Sequence, residues 1–304
     1  MARSRRNGFK TRITLLVIVL VGTALLTGCY FAIAWPPCPT PVPTRDGMYV
    51  ANTNNTVVTA FIAGTGGGSL GNLGGTLSSP HGIALNVTSG KMYVTNYNNH
   101  TVTVANLDGT GGTALAIAAL NLPSGIALDL AAEKMYVTSS GNHRVTVANL
   151  DGTGGVPLSI ATLSYPYAIA LDIAAGKMYV TNYFDNTVTV ANLDGTGGTA
   201  LAVATLNGPF GIALDVAAGK MYVVNSSNDT VTVANLDGTG GTALAVATLD
   251  QPYGIALDLA EGKMYVTNGG SNAVTVAHLD GTGGTNLGNL GGTLSSPIAI
   301  ALFP

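Results

Sequence analysis

Charge is scarce in this chain: 9% of its 304 residues are Asp, Glu, Lys or Arg, against roughly 25% in an ordinary soluble domain. Cysteine occurs twice, at Cys29 and Cys38, which excludes a disulfide framework. Glutamate also occurs only twice, as Glu133 and Glu261, and no carboxylate dyad, nucleophile and base pair or phosphate-cradling loop stands out. No run of ten or more residues carries a helical stripe, so alternating strands and helices are excluded. Basic residues thin out after the amino terminus. Arg3, Arg5, Arg6, Lys10 and Arg12 fall within the first 28 residues, leaving 7 basic against 15 acidic residues beyond them. That balance argues against nucleic acid as a partner, since phosphates call for clustered Lys and Arg.

What the chain has in place of these is a repeat. Met-Tyr-Val begins at Met48, Met92, Met135, Met178, Met221 and Met264, with one spacing of 44 residues and four of 43. This period suits one four-stranded propeller blade. In the unit Pro209 to Leu249, strands are expected at 211–215 (GIALD), 221–224 (MYVV), 230–236 (TVTVANL) and 242–249 (TALAVATL), with Asp237-Gly238 as a turn. Near-total burial of such strands between stacked blades accounts for the low charge, while 47% hydrophobic content in strand-like order excludes a disordered Gly-rich chain. The expected fold is all-β: a six-bladed β-propeller over residues 47–304. The first Met-Tyr-Val has no GIALD segment before it, whereas Ile298 to Leu302 (IAIAL) follows Pro297 at the other end. Six prolines, Pro80, Pro123, Pro166, Pro209, Pro252 and Pro297, lead the innermost strands, so the last strand should complete the first blade and remove free sheet edges.

Ahead of the repeats, a basic segment and the apolar stretch 13–26 form an export signal over residues 1–28. Leu26-Thr27-Gly28-Cys29 resembles the lipobox of bacterial lipoproteins, and the resemblance implies lipidation of Cys29 after cleavage before it. Ile13 to Trp35 is also 23 uncharged residues long, enough for an uncleaved signal anchor. Both readings leave the repeats extracytoplasmic and tethered at the cell envelope or surface, with residues 29–46, rich in proline, as the tether.

The repeats themselves resemble known families. Tyr-Val-Thr-Asn at 93–96, 179–182 and 265–268, each preceded by Gly-Lys-Met and followed by TVTV or AVTV, resembles the YVTN repeat of bacterial and archaeal surface propellers. ANLDGTGG and GIALD are similar to the YWTD repeats of low-density-lipoprotein-receptor propellers, and Gly141 to Val145 (GNHRV) resembles the NHL repeat. The resemblance implies a propeller and covers adhesion, scaffold and sensor modules as well as a few enzymes.

Most acids occupy repeated turn positions. Asp108, Asp151, Asp194, Asp237 and Asp280 sit in Asp-Gly turns, while Asp129, Asp172, Asp215 and Asp258 end innermost strands. Lysines at 91, 134, 177, 220 and 263 should offset these carboxylates. The six repeated tyrosines are expected between blades with the methionines as core filler. No histidine spacing resembles a ligand set, so neither a metal nor another cofactor is expected. Variation concentrates in two loop sets of one propeller face. Those after the Met-Tyr-Val strands contain Asn98, His100, His143, Tyr183 and Phe184; the positions after the leading prolines are His81, Ser124, Tyr167, Phe210, Tyr253 and Ile298. His81, Asn98, His100, His143, Tyr167, Tyr183, Phe184, Phe210 and Tyr253 are therefore the expected ligand-binding face, of a non-catalytic module for a protein or glycan. A metal-dependent hydrolase or lyase at the channel mouth is the enzymatic alternative, and a ligand-free structural surface protein is the third.

Overall fold

A computed structural model describes residues 47–303. The signal, Cys29 and the tether lie outside the described residues. Every regular element within them is a strand, and the strands form six four-stranded antiparallel sheets. Five sheets follow chain order, as in Pro209–Asp215, Lys220–Asn225, Thr230–Asn235 and Thr242–Leu244. The remaining one, blade 1, takes Gly47–Asn52, Thr56–Phe61 and Gly68–Gly71 from the start and Pro297–Phe303 from the end. Tyr49 lies opposite Ala301 and Val50 opposite Ile300, so the ring closes as the split repeat requires. Blades 2 to 6 follow in chain order.

Six apolar clusters hold the six blades together. Successive residues of a strand point to opposite faces, and both faces of each blade are covered. Met135 and Val137 accordingly pack toward blade 2, while Tyr136 between them packs toward blade 4. There it meets Val145, Leu158 and Ile160 from its own side and Ile169, Met178, Val180 and Ala191 from the next blade. The cluster formed by Met48, Val50, Tyr265, Val274 and Ile300 joins blade 6 to blade 1. Burial raises the pKa of the Tyr49 phenol to about 12, with Asp108 adding to the effect, and its Oη donates to the Leu107 carbonyl at 3.2 Å.

One local expectation is corrected and another is refined. The fourth strand is three residues long, Thr242–Leu244, instead of eight. Its apolar pattern continues past Leu244 because Val246 turns inward to cap the cluster between blades 5 and 6. Thr248 then takes a positive φ of 71° as the chain crosses to the next blade. The lysines, for their part, offset the turn carboxylates only at a distance: the charges of Lys91, Lys134, Lys177 and Lys220 help lower the pKa of Asp108, Asp151, Asp194 and Asp237, but none forms an ion pair with its aspartate. Lys91, Lys177 and Lys220 each donate from Nζ to Oδ1 of the third-strand asparagine opposite, Asn106, Asn192 and Asn235, at 2.6 Å, and Lys134 does so to Asn149. In blade 6 His278 replaces that asparagine, and Lys263 pairs with Glu261 at 3.9 Å, the single ion pair among the described residues. Each turn aspartate is occupied locally: Asp151 Oδ1 accepts from the Thr153 N–H at 2.9 Å and hydroxyl at 2.6 Å, which holds its carboxyl below the usual range.

The duplicated segment LGNLGGTLSSP occurs on either side of blade 1. Asn72 Oδ1 accepts the Leu77 N–H at 2.7 Å, and Asn289 holds Leu294 in the same way. Both loops turn a leucine, Leu73 or Leu290, into the core of the adjoining interface. Isoleucine or valine fills that position elsewhere, as Ile160 and Val246 do. The longer loops thus place a leucine at the two interfaces of the blade that closes the ring.

Candidate binding face

The leading prolines pair with the ends of the second strands, as Pro80 with Asn96 and Pro209 with Asn225. The two variable loop sets therefore share one face, the mouth of the central channel. The opposite face carries the Asp-Gly turns, the lysines and Gly47, where the described chain begins.

Three layers of hydrogen bonds position the mouth. After each leading proline the pairing register shifts and leaves backbone groups free of the ladder. The second-strand threonine fills this gap. Thr138 Oγ1 accepts the Gly125 N–H at 2.7 Å and donates to the Tyr167 carbonyl of the next blade at 2.6 Å. Thr95 does the same for Gly82 and Ser124, and Thr181 for Ala168 and Phe210. Adjacent innermost strands consequently run so close that a Cβ on Gly82 would stand 2.4 Å from the Ser124 carbonyl.

The asparagine after that threonine forms the second layer. Asn96, Asn182, Asn225 and Asn268 accept at Oδ1 the N–H of Ser78, Ser164, Asn207 and Asp250, each at 3.0 Å. The Val-Thr-Asn part of the repeat is thereby a scaffold for the loops above it.

The third layer clasps each blade to its successor. The last residue before each third strand has a positive φ, and its side chain accepts a backbone N–H two residues before the mouth position of the next blade. Asn55 does so for Ser79 at 2.6 Å, His100 Nδ1 for Leu122 at 2.8 Å and His143 Nδ1 for Tyr165 at 3.3 Å. Asn186, Asp229 and Asn272 act likewise on Gly208, Gln251 and Ser296.

On this frame the aromatic side chains gather into one bowl of about 520 Å³, within the usual range for ligand sites. Tyr167 and Phe210 have ring centroids 4.0 Å apart, Phe210 and Tyr253 4.8 Å, and Tyr167 and Tyr183 5.6 Å. Tyr165 adds an outer wall with Phe184, 4.7 Å away, and Phe184 is 64% exposed. Below the bowl the channel narrows to a cavity of about 100 Å³ between glycines and isoleucines. His81 stacks on Tyr97 at 4.3 Å; burial lowers its pKa to about 4, and its Nδ1 has no partner among the described residues.

Of the sequence-predicted residues, His81, Tyr167, Tyr183, Phe184, Phe210 and Tyr253 line the bowl. His143 reaches it only edge-on, 6.0 Å from Tyr165. His100 and Asn98 are exposed away from it, and the His100 imidazole is committed to its clasp. Sequence reasoning missed Tyr97, Tyr165, Ser226 and Gln251. Tyr165 directly precedes Pro166, and Tyr97 directly follows a Tyr-Val-Thr-Asn strand, so both were marked by position. Among the described residues no group of three His, Cys, Asp or Glu side chains is arranged to hold a metal ion.

The NHL repeat family matches residues 77–105, which span most of blade 2. No curated protein matches the chain. Among solved structures, a chain of the nidogen/laminin complex is similar at a TM-score of 0.75 and 20% identity, over 85% of this chain and 98% of that one. Virginiamycin B lyase from Staphylococcus aureus is similar at 0.61 and 14%, over 81% and 82%. A streptogramin B lyase is similar at 0.60 and 16%, over 78% of each chain. The six closed blades and these neighbours together make the chain a six-bladed β-propeller, one blade of which matches the NHL repeat.

Proposed function

We propose that the chain is a membrane-tethered extracytoplasmic propeller, a non-catalytic adhesion or scaffold module that binds a protein or glycan through its mouth face. The aromatic bowl carries this reading. Aromatic side chains are the commonest anchors of binding interfaces, and here Tyr165, Tyr167, Tyr183, Phe184, Phe210 and Tyr253 are gathered at a single opening, apart from the six tyrosines buried between the blades. The neighbour from the nidogen/laminin complex supports protein binding by analogy. Gly47, where the described chain joins the ring, lies on the face opposite the mouth. Cys29 lipidation or the signal anchor would supply the attachment.

The similarity to two lyases and the unpartnered His81 favour the enzymatic alternative, but the donor set does not fit a metal-dependent reaction. The positions equivalent to His81 are Ser124, Tyr167, Phe210, Tyr253 and Ile298, so the innermost strands bring one imidazole and no carboxylate to the mouth. Capture of surface partners on the immobilised chain tests the binding reading. The Tyr183→Ala, Phe184→Ala double variant should lose most captured material, whereas Leu130→Ser on the opposite face should not. Equal capture by all three proteins would refute the mouth as the binding surface.

A further inference from the structure

The chemistry around the bowl narrows its ligand beyond the binding reading, on which this inference rests. Charge is distributed unevenly between the two faces. All five described lysines and the turn acids belong to the face opposite the mouth. The mouth loops carry four charged side chains: Arg144, Asp185, Asp229 and Asp250, all exposed. Each carboxylate adjoins the lining of the bowl. Asp185 follows Phe184, Asp250 precedes Gln251, and Asp229 accepts the Gln251 N–H at 2.9 Å. Arg144 lines a separate hollow with Asn142, Leu158 and Ile160.

Within the bowl the lining presents ring faces, phenol groups, Ser226 and Gln251. His81 is held neutral by burial. An anion would find no counter charge there and three carboxylates at the rim. A neutral sugar could stack on the rings and hydrogen-bond to the phenols. A cation alone gains electrostatically from both parts: its charge is attracted to the π faces, and the rim carboxylates raise its local concentration.

We propose that the bowl receives a basic side chain, lysine or arginine, presented by a protein partner. Its cationic head lies over the rings of Tyr167, Tyr183, Phe210 and Tyr253, with Asp185, Asp229 and Asp250 as counter charges. The ligand is recognised by charge and ring stacking more than by a hydrogen-bond code, so lysine and arginine are both accepted.

Ligand-observed NMR titrations of the full chain in detergent micelles test this with five probes: acetyl-Gly-Lys-Gly-amide, its arginine, norleucine and glutamate counterparts, and maltotriose. The lysine and arginine peptides should bind about tenfold more tightly than the norleucine peptide, which keeps the alkyl stem and lacks the charge. The glutamate peptide should bind least. Asp185→Asn with Asp250→Asn should weaken the lysine peptide by roughly three- to tenfold, with the thermal midpoint checking that these exposed changes leave the fold intact. Equal binding of the norleucine peptide would overturn the cation while leaving an aromatic binding site. Preferential binding of maltotriose would overturn it in favour of a glycan. If no probe binds, the inference fails, whereas the binding reading stands or falls separately on partner capture by the Tyr183 and Phe184 variant.

Discussion

Deleting residues 297–304 removes eight terminal residues, yet it should cost far more than terminal trimming usually does. The lost strand is the innermost of blade 1. Ile298 and Ile300 are 6% and 7% exposed and belong to the clusters on the two sides of that blade. Burial of each is worth about 1.5–3 kcal/mol. Met48, Tyr49 and Val50, fully buried, would lose their ladder partners. Each backbone group then left dry and unpaired adds about 1–3 kcal/mol. The isoleucines alone amount to about 3–6 kcal/mol against a typical domain stability of about 5–15 kcal/mol. In a domain of this size about 1 kcal/mol lowers the midpoint by about 2–4 °C, so the truncated chain should melt roughly 10 °C lower or aggregate through the open edge. Thermal unfolding followed by far-ultraviolet circular dichroism measures the shift. A synthetic peptide of residues 297–304, added in excess, should restore part of it by mass action. A midpoint unchanged within about 2 °C would refute closure of the ring by this strand, because an open array of repeats loses only what its last strand contributes.

Val224 occupies in blade 5 the position that threonine holds in blades 2, 3, 4 and 6, and so leaves the Gly211 N–H without the hydroxyl acceptor that those four blades provide. Val224→Thr should therefore raise stability by about 1 kcal/mol, read by chemical denaturation; a loss would show that the methyl packing outweighs the bond. The pKa of His81 falls from 6.5 in the unfolded chain to about 4 in the fold, so between those values the unfolded state binds the extra proton and stability declines as pH falls. Between pH 7 and pH 4.5 the decline should reach about 2.5 kcal/mol and be absent from His81→Phe, as denaturation curves at the two pH values would show; equal slopes in both proteins would place the sensitivity elsewhere. Cys29→Ala should abolish incorporation of radiolabelled palmitate and leave a slower-migrating precursor, whereas wild-type migration would favour the uncleaved anchor.

The blade count, the four-strand unit and the closing strand were all legible because each follows from counting. Six Met-Tyr-Val segments and six leading prolines, one set displaced by a strand, admit one ring. The short fourth strand was not legible: Val246 continues the apolar alternation of Thr242–Leu244 but serves an inter-blade cap instead of a ladder, and periodicity cannot separate the two. The lysine contacts were hidden for a different reason. Charge bookkeeping pairs Lys177 with an aspartate, but the cross-strand register sets Asn192 opposite it, and register depends on where the hairpin turns.

The candidate site shows most clearly what variation among repeats can and cannot mean. The position before each third strand reads Asn55, His100, His143, Asn186, Asp229 and Asn272, which looks like freedom to change. The structure gives all six the same task, since each offers one side-chain acceptor to a backbone N–H of the following blade, and only residues that combine such an acceptor with tolerance of positive φ fit there. Variation at that position is substitution within a structural class, and it explains why the two histidines raised as binding residues are committed to the frame. The position after each leading proline reads His81, Ser124, Tyr167, Phe210, Tyr253 and Ile298. These side chains share no donor, acceptor, charge or volume, while the carbonyls of Ser124, Tyr167 and Phe210 are each held by a threonine of the preceding blade. A frame that fixes the main chain and leaves the side chain unassigned frees that side chain for a ligand. Four of the six positions are aromatic, and three of those are consecutive, in blades 4, 5 and 6, beside the loops that carry Asp185, Asp229 and Asp250. The side of the mouth formed by those three blades is accordingly where substitutions should alter binding with the least effect on the fold.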